Sequence, residues 1–388
     1  RNGPITSIRI NSATGVPVAN QFTVNLDPVR RIDRARADGG VYVQDRWTHR
    51  RVTLSGGLRL DFFDRYTPEV TLGPTPLQPT RNLTFPKQQV VRYKDLSPRL
   101  GVAWDVFGTS KTAVKLSLNR YVQDLSLLAN NQGSAQQNYL ATAARSWTDS
   151  NANFYPDCDF TNPSSQNLTG TGGDICGAFT GVNANFGLSV PTSVDDRDVD
   201  GFGGWNHRGS NWEFSTGVQQ EIVPRRMAVD VGYFRRWYGN FTVTDNFAAA
   251  VADYSSFTVT VPTDSRLPLS GQTITFLDLN PDKASLPSDN HVRFSKNYGE
   301  QYERWHGVDV STSVRFDPGV LVQGGVSTGK QVTDNCAVLA QVPEGATNGV
   351  SLTGASLVIA GPLAVPFCHQ EQPWLTQVKG LASYTIPG

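Results

Sequence analysis

Apolar and polar residues alternate along several stretches of this chain with a period of two, which is typical of β-strands with two different faces. In residues 113–122 the apolar positions are Val114, Leu116, Leu118 and Val122, separated by Lys115, Ser117, Asn119 and Tyr121. The run before it has the same pattern, with apolar positions Leu100, Val102, Trp104 and Val106. Turn-forming residues connect the two runs at 107–111, so the pair predicts a long antiparallel hairpin.

The same alternation predicts three further hairpins and a final strand. Their strands cover residues 41–47 and 52–62, 212–222 and 227–238, 306–316 and 320–332, and 375–386. Long irregular segments separate the hairpins, near 66–92, 124–210, 239–302 and 333–373. Short turns on one side and long loops on the other are typical of bacterial outer-membrane barrels. We therefore predict an all-β fold, a partial antiparallel transmembrane β-barrel with about nine or ten strands and long extracellular loops.

Aromatic residues lie near many of the predicted strand ends. They are Trp47, Phe62, Phe63, Tyr66, Phe107, Tyr121, Trp212, Trp237, Tyr238, Trp305 and Trp374. Girdles of aromatic residues flank the apolar band of a membrane barrel, where they meet the lipid headgroups. We interpret these residues as such girdles, which predicts a bacterial outer membrane as the location and its lipid as a partner.

Composition narrows the classes of function. Lys and Arg together number 34 and Asp and Glu together number 34, so no excess charge predicts a nucleic acid as partner. Hydrophobic residues make up only 38% of the chain, and glycine is abundant at 36 residues, which suits a barrel whose second face meets water. No run of 18 apolar residues is present, which excludes a transmembrane helix.

We assign residues 41–388 to the barrel and treat residues 1–40 separately. Short strands are predicted at 5–10 and 21–26, and the charged run at 30–36 is read as a solvated turn or an inward-facing strand end. A patch for an anionic ligand is the alternative for that run. Because the chain starts at Arg1 and contains one Met, we expect a processed or incomplete piece of a longer protein.

Several strand segments carry a resemblance to a known family. They are Val41–Trp47 (VYVQDRW), Leu54–Asp61 (LSGGLRLD), Leu96–Trp104 (LSPRLGVAW) with Lys111–Lys115 (KTAVK), and Asn211–Gln219 (NWEFSTGVQ). In this order they resemble the barrel of TonB-dependent outer-membrane receptors, specifically the Oar-like group with an N-terminal carboxypeptidase-regulatory-like domain. The resemblance runs from about residue 40 to the end of the chain.

The resemblance implies a plugged barrel of about 22 strands. It also implies uptake of a bulky ligand, with energy supplied through the TonB complex of the inner membrane. We expect the plug and the TonB-contacting segment to lie outside these residues. The ligand is not indicated, since loops of this kind suit peptides, glycans and metal chelates alike.

Two other classes of protein compete with a transporter. One is a structural or adhesive outer-surface β-protein, whose loops would make contacts between copies or cells. The other is a secreted soluble β-enzyme, which would need a cleft with paired acids. No nucleophile elbow, phosphate-binding glycine loop or zinc-protease motif occurs in the chain, so we predict that the protein is not an enzyme.

All four cysteines, Cys158, Cys176, Cys336 and Cys368, lie in predicted loops. An even number fits two disulfides in an oxidising compartment, and three connectivities are open. We favour Cys158 with Cys176 and Cys336 with Cys368, because each pair closes a loop within one segment. A zinc site that uses His369 is the alternative.

A polar stretch in the longest loop has the residue types of a calcium site. It supplies hard oxygen ligands at Asp149, Asn151, Asn153, Asp157 and Asp159, at spacings that resemble the start of a calcium-binding loop. However, Phe154 stands where such loops have a glycine, and no Glu occupies the twelfth position. A polar turn rich in Asx residues is the alternative. Calcium is thus the one cofactor that the sequence suggests.

Overall fold

A computed structural model of the protein describes residues 5–10, 17–26, 32–123, 134–136, 138–190, 194–195, 202–267, 269–284, 286, 288–316, 319–348, 363–364 and 368–385. These residues form mostly antiparallel β-strands. The two α-helices, α1 (Pro281–Ala284) and α2 (Cys336–Leu339), have four residues each. Single 3-10 turns lie at Thr169–Thr171, Gly181–Asn185, Val251–Asp253, Ser295–Asn297 and Pro343–Asn348. None of the helices in the described part of the chain is long and apolar enough to cross a membrane.

The strands of the first half of the chain are β1 (Ile5–Ile10), β2 (Pro17–Asn25), β3 (Arg34–His49), β4 (Val52–Thr67), β5 (Val70–Leu72), β6 (Leu83–Phe85), β7 (Gln88–Asp105), β8 (Thr112–Val122), β9 (Thr142–Thr148), β10 (Gln166–Asn167), β11 (Ile175–Cys176) and β12 (Val194–Asp195). Those of the second half are β13 (Phe202–Trp205), β14 (Ser210–Val223), β15 (Met227–Gly239), β16 (Thr242–Asn246), β17 (Tyr254–Thr260), β18 (Thr273–Leu279), β19 (Asn290–Phe294), β20 (Tyr302–Phe316), β21 (Val320–Asp334), β22 (Leu363–Ala364), β23 (His369–Glu371) and β24 (Leu375–Tyr384).

The long strands form one large sheet. Its order is β23-β21-β20-β15-β14-β8-β7-β4-β3, and β24 also pairs with β21 while β13 pairs with β7. The four predicted hairpins are confirmed as β3–β4, β7–β8, β14–β15 and β20–β21. Within the described residues the sheet does not close on itself.

The turn of the β7–β8 hairpin shows how the sequence sets its short connections. Asp105 ends β7, and its two carboxylate oxygens accept the N–H groups of Gly108 and Ser110, each at 2.9 Å. Gly108 has a φ of 74°, a conformation that only glycine adopts without steric cost. The Asp105 carboxylate and Gly108 therefore determine the turn between β7 and β8.

The segments predicted as irregular loops contain more strand than expected, and this part of the prediction is corrected. The region 66–92 includes β5, β6 and the start of β7, and the region 124–210 includes β9 to β13. β16 to β19 lie within 239–302, and β22 and β23 lie within 333–373. The charged run at 30–36 ends inside β3, which begins at Arg34, so its last residues form a strand end.

The chain divides into two compact units. Unit 1 comprises residues 1–36, 65–91 and 126–194, and unit 2 comprises 37–64, 92–125 and 195–388. Unit 1 contains a sheet of order β1-β2-β9-β11-β10. Its buried core is largely aromatic and consists of Phe22, Val24, Leu26, Phe85, Tyr139, Ala143, Trp147, Phe179 and Phe186. Unit 2 contains the large sheet.

Candidate functional site

One face of the large sheet is lined by valine. Six valines stand in register across six neighbouring strands, namely Val114, Val218, Val231, Val310, Val326 and Val378. Their side chains are not buried, and Val218, Val231 and Val310 are 43%, 43% and 42% exposed. An apolar band of this extent, left uncovered in water, would be unfavourable at about 25 cal/mol for each Å². This apolar face therefore suits contact with lipid.

Aromatic side chains mark both ends of the apolar face. Trp47 and Trp104 lie next to the short turns and are 58% and 44% exposed. Trp212 and Trp237 pair with each other at the ends of β14 and β15 that lie away from the short turn. Their rings are stacked, with the centroids 6.4 Å apart. This arrangement fits the predicted girdles. Trp305, Tyr121 and Tyr238 are corrected as girdle residues, because they alternate with the valine positions and belong to the other face. Phe63 is corrected as well, because it is buried.

The other face of the sheet, called here the polar face, carries charged, hydroxyl and amide side chains. One row runs across it in register: Arg99, Asn119, Glu213, Arg236, Trp305 and Gln331. Glu213 and Arg236 form an ion pair within this row. Two rows away, Asp309 accepts a hydrogen bond from the Ser327 hydroxyl. The strand alternation predicted Arg99, Asn119 and Glu213 at polar positions, whereas Trp305 was predicted in a girdle.

Three recesses open on the described part of the polar face, and two of them adjoin the row of polar residues. The aromatic recess has a volume of about 750 Å³, and its lining includes Phe234, Trp305, Glu213, Asp309 and Gln331. The arginine recess has a volume of about 780 Å³, and its lining includes Arg46, Arg59 and Arg99. Ser117 and Asn119 line both recesses. No sequence motif marks these two recesses, because their lining comes from strands that are far apart in the chain.

The candidate calcium residues lie together in one loop of unit 1, and calcium there remains a prediction. Asp149 accepts the N–H of Phe154 at 2.8 Å, and the side-chain oxygens of Asn151 and Asn153 accept N–H groups two residues further on. The amide groups of both asparagines donate to one oxygen of Asp157 at 2.7 Å. A bound cation would have to replace several of these bonds, which are typical of an Asx-rich turn.

Asp159, the fifth candidate ligand, is hydrogen-bonded to Thr161 instead. Its carboxylate accepts the N–H and the hydroxyl of Thr161, and these bonds lower the pKa of the carboxyl. Among the described residues no group of three or more His, Cys, Asp or Glu is placed to hold a metal ion. The Asp159 carboxylate thus stabilises the local turn at Thr161, and it is not grouped with the other four candidate calcium ligands.

The first predicted disulfide is confirmed, and Asp174 organises the backbone around it. Cys158 is bonded to Cys176, with the two Cα atoms 6.4 Å apart. Asp174 is fully buried and accepts hydrogen bonds from Trp147 Nε1 at 2.8 Å, from Ser150 N–H at 2.8 Å and from Asp157 N–H at 3.0 Å. Burial raises the pKa of its carboxyl, but these three bonds outweigh burial and hold the pKa below its usual value.

The second predicted disulfide, Cys336 with Cys368, is also confirmed, with the two Cα atoms 4.8 Å apart. It joins helix α2 to the residue before β23. His369, which the zinc alternative would use, contacts the Asp334 carboxylate at 2.8 Å. Both cysteines are therefore used in a disulfide, and the zinc alternative is wrong for this pair.

A family model described as "Outer membrane beta barrel domain" matches residues 14–331. The chain belongs to this family. No match was found among curated protein sequences. Among solved structures the barrel is similar to the outer membrane transporter YddB from Escherichia coli, at 11% identity and a TM-score of 0.30. The alignment covers 82% of this chain and 34% of that chain, so this barrel spans about a third of that transporter, and a similarity this low carries no functional inference.

The barrel domain is therefore located in a bacterial outer membrane. Its apolar face meets lipid, its polar face is the inner one, and its long connections are extracellular. The family match begins at residue 14, so it includes most of the N-terminal stretch that the sequence analysis treated separately.

Sequence reasoning missed a buried polar cluster in unit 2 of this barrel domain. Regular β7–β8 pairing ends at Arg99 and Asn119, and β13 pairs with β7 beyond that point. There Asp95 and Arg208 form an ion pair at 2.8 Å, and Arg120 donates to Asn206 Oδ1 at 2.8 Å. Asp95 and Arg208 are 113 residues apart in sequence, so no local pattern marks them as partners. These contacts hold residues 206–208, at the end of the longest predicted loop, against β7 and β8.

Proposed function

We propose that this barrel domain is part of a TonB-dependent receptor that takes up a bulky ligand across the outer membrane. The observation that carries the proposal is the polar row across six strands of the inner face, with recesses of about 750 and 780 Å³ along it. A wall that only had to hold a barrel together would not need such a polar, indented surface. The Oar-like subtype is part of this proposal, supported by the strand motifs.

The long extracellular segments take the roles of ligand capture and gating. Unit 1 has its own buried core, a disulfide and a buried arginine with three backbone acceptors. A segment folded to this degree presents a fixed surface, which lowers the entropic cost of binding. The inner face then serves as the path of the ligand. The inferred partners are outer-membrane lipid, the bulky ligand and the TonB complex of the inner membrane.

Two measurements on the full-length protein, isolated from its outer membrane, test this function without knowledge of the ligand. A plugged receptor inserted into a planar lipid bilayer should carry no steady ionic current, and it should bind the purified periplasmic domain of TonB. A steady current without TonB binding would indicate an open pore instead. The absence of both current and TonB binding would favour a structural or adhesive surface protein.

A further inference from the structure

Two aromatic rings lie along the polar face of the barrel, held close to the wall by glycines. Trp305 covers Gly307 and Gly329: a methyl group built on Gly329 would stand 2.6 Å from Trp305 Cζ2, and one built on Gly307 would stand 2.8 Å from Cη2. Phe234 covers Gly232 in the same way, with its Cε2 at 2.8 Å from the position of such a methyl group. Only glycine permits these approaches.

The two rings lie on neighbouring strands and in adjacent rows of the polar face. Phe234 is in register with Gly307, the glycine that Trp305 covers, and Gly232 is in register with Asp309 one row further. Both rings line the aromatic recess, and Phe234 is 36% exposed. The inner face therefore offers two apolar patches, each about the size of one ring.

Polar groups surround these patches on the same wall. Above Trp305, Gln331 donates to the Glu303 carboxylate at 2.8 Å. Beside the rings, Glu213 pairs with Arg236, and Asp309 accepts from Ser327. An entirely apolar ligand would leave these donors and acceptors without water or partners, which is costly. The recess instead suits a ligand that has small apolar faces and a polar rim.

From this juxtaposition we infer that the aromatic recess binds a carbohydrate chain, and that Trp305 and Phe234 each pack against the face of one sugar ring. A pyranose presents C–H groups on its ring face and hydroxyls around its edge. The C–H face gains dispersion contacts on an aromatic ring. The hydroxyls donate to carboxylates and accept from amide and guanidinium groups. The inference rests on the proposed function, since it names the class of ligand that the receptor takes up.

The test measures binding to the full-length receptor in detergent by isothermal titration calorimetry. The probes are maltohexaose, xylohexaose and oligogalacturonate, with a neutral hexapeptide for comparison. Binding of at least one oligosaccharide is expected, and Trp305→Ala and Phe234→Ala should each weaken it about tenfold, the usual effect of removing a central aromatic contact. Trp237→Ala is the matched control, because its ring belongs to the apolar face, and it should leave binding unchanged.

A second pair of variants tests the geometry without removing a ring. Gly329→Ala should weaken binding, because the new methyl group displaces the Trp305 indole from the wall. Gly324→Ala adds a methyl group to the same strand on the apolar face, with its nearest neighbour at 3.4 Å, and should leave binding unchanged. Heat-modifiable migration on electrophoresis verifies that each variant forms a folded barrel.

The inference would be overturned if none of the three oligosaccharides bound to the receptor. Oligosaccharide binding that is insensitive to both aromatic substitutions, or peptide binding that depends on Trp305, would also overturn it. Binding to the purified receptor needs no energy source, so each of these results would leave TonB-dependent uptake standing. Conversely, loss of TonB binding would refute energised uptake alone.

Discussion

Arg145 is expected to be the residue whose loss most disturbs unit 1. The residue is 2% exposed, and its guanidinium donates to the carbonyls of Gly177 at 2.6 Å, Asn162 at 2.9 Å and Ser164 at 2.7 Å. It also lies over the Phe179 ring, with its Cζ 4.9 Å from the ring centroid. Arg145→Met keeps most of the volume but removes the side-chain donor from the Gly177 and Ser164 carbonyls, and leaves the Asn162 carbonyl with only the longer bond from Gln166 Nε2 at 3.3 Å. At about 1 to 3 kcal/mol for each unsatisfied group, partly relieved by entering water, we expect a loss of about 4 kcal/mol.

The assay is hydrogen–deuterium exchange of the backbone amides of β9, measured by mass spectrometry on the protein in detergent. A loss of about 4 kcal/mol raises the population of the open state, and hence the exchange rate, about a thousandfold. Exchange in β20, which belongs to unit 2, should stay the same.

Arg81→Met provides a matched control within unit 1. Arg81 donates to the Gly73 carbonyl at 2.7 Å and to the Tyr139 hydroxyl at 2.6 Å, but water can reach this half-buried site. We expect a change of about tenfold or less in exchange. If Arg145→Met changes β9 exchange no more than Arg81→Met does, the three carbonyls do not depend on Arg145 and the reasoning is refuted.

Three further predictions concern the same unit. Replacing Cys158 and Cys176 together by Ser should destabilise it by about 3 kcal/mol, seen as faster exchange between the two positions; unchanged exchange would contradict this. Folding lowers the pKa of the Asp174 carboxyl, so its contribution to the stability of unit 1 is complete above the unfolded-state pKa and is lost as pH falls below about 4. An acid protease should therefore cleave unit 1 increasingly below that pH. Cleavage that does not change with pH would contradict this prediction. If calcium binds the 149–159 loop, adding calcium after EDTA treatment should slow exchange there and Asp157→Asn should abolish the effect, whereas no response to calcium would dismiss the site.

The hairpins of the barrel were predictable because a strand with one face in lipid and one in water must alternate. The position of Val218 in β14 already indicated its face. The full valine row was not predictable, because Val326 and Val378 are separated by a long connection whose length does not determine register. Trp305 is a different case: its place near a strand end suggested a girdle, although its odd spacing from Val308 and Val310 already indicated the polar face. Only the register shows that its neighbour there is Gln331.

The loops were harder to predict for a different reason. Phe22, Phe85 and Trp147 pack in one core, yet each comes from a separate segment without periodicity, dense in Pro, Asn or Gly. Contacts of this kind depend on the whole fold, which local patterns do not encode. The Cys158–Cys176 pair was predictable because both partners fall within one loop, a purely local criterion.

The composition of the unit 1 core has a consequence for the evolution of this protein. Phe22 comes from residues 1–36, Phe85 from residues 65–91, and Trp147 from residues 126–194, with barrel strands encoded between them. A single genetic crossover would therefore combine one part of this core with mismatched parts from another gene. Surface loops that are continuous in sequence can be exchanged between genes as cassettes. Unit 1 must instead diversify by point substitutions at its exposed positions, while its three segments are inherited together.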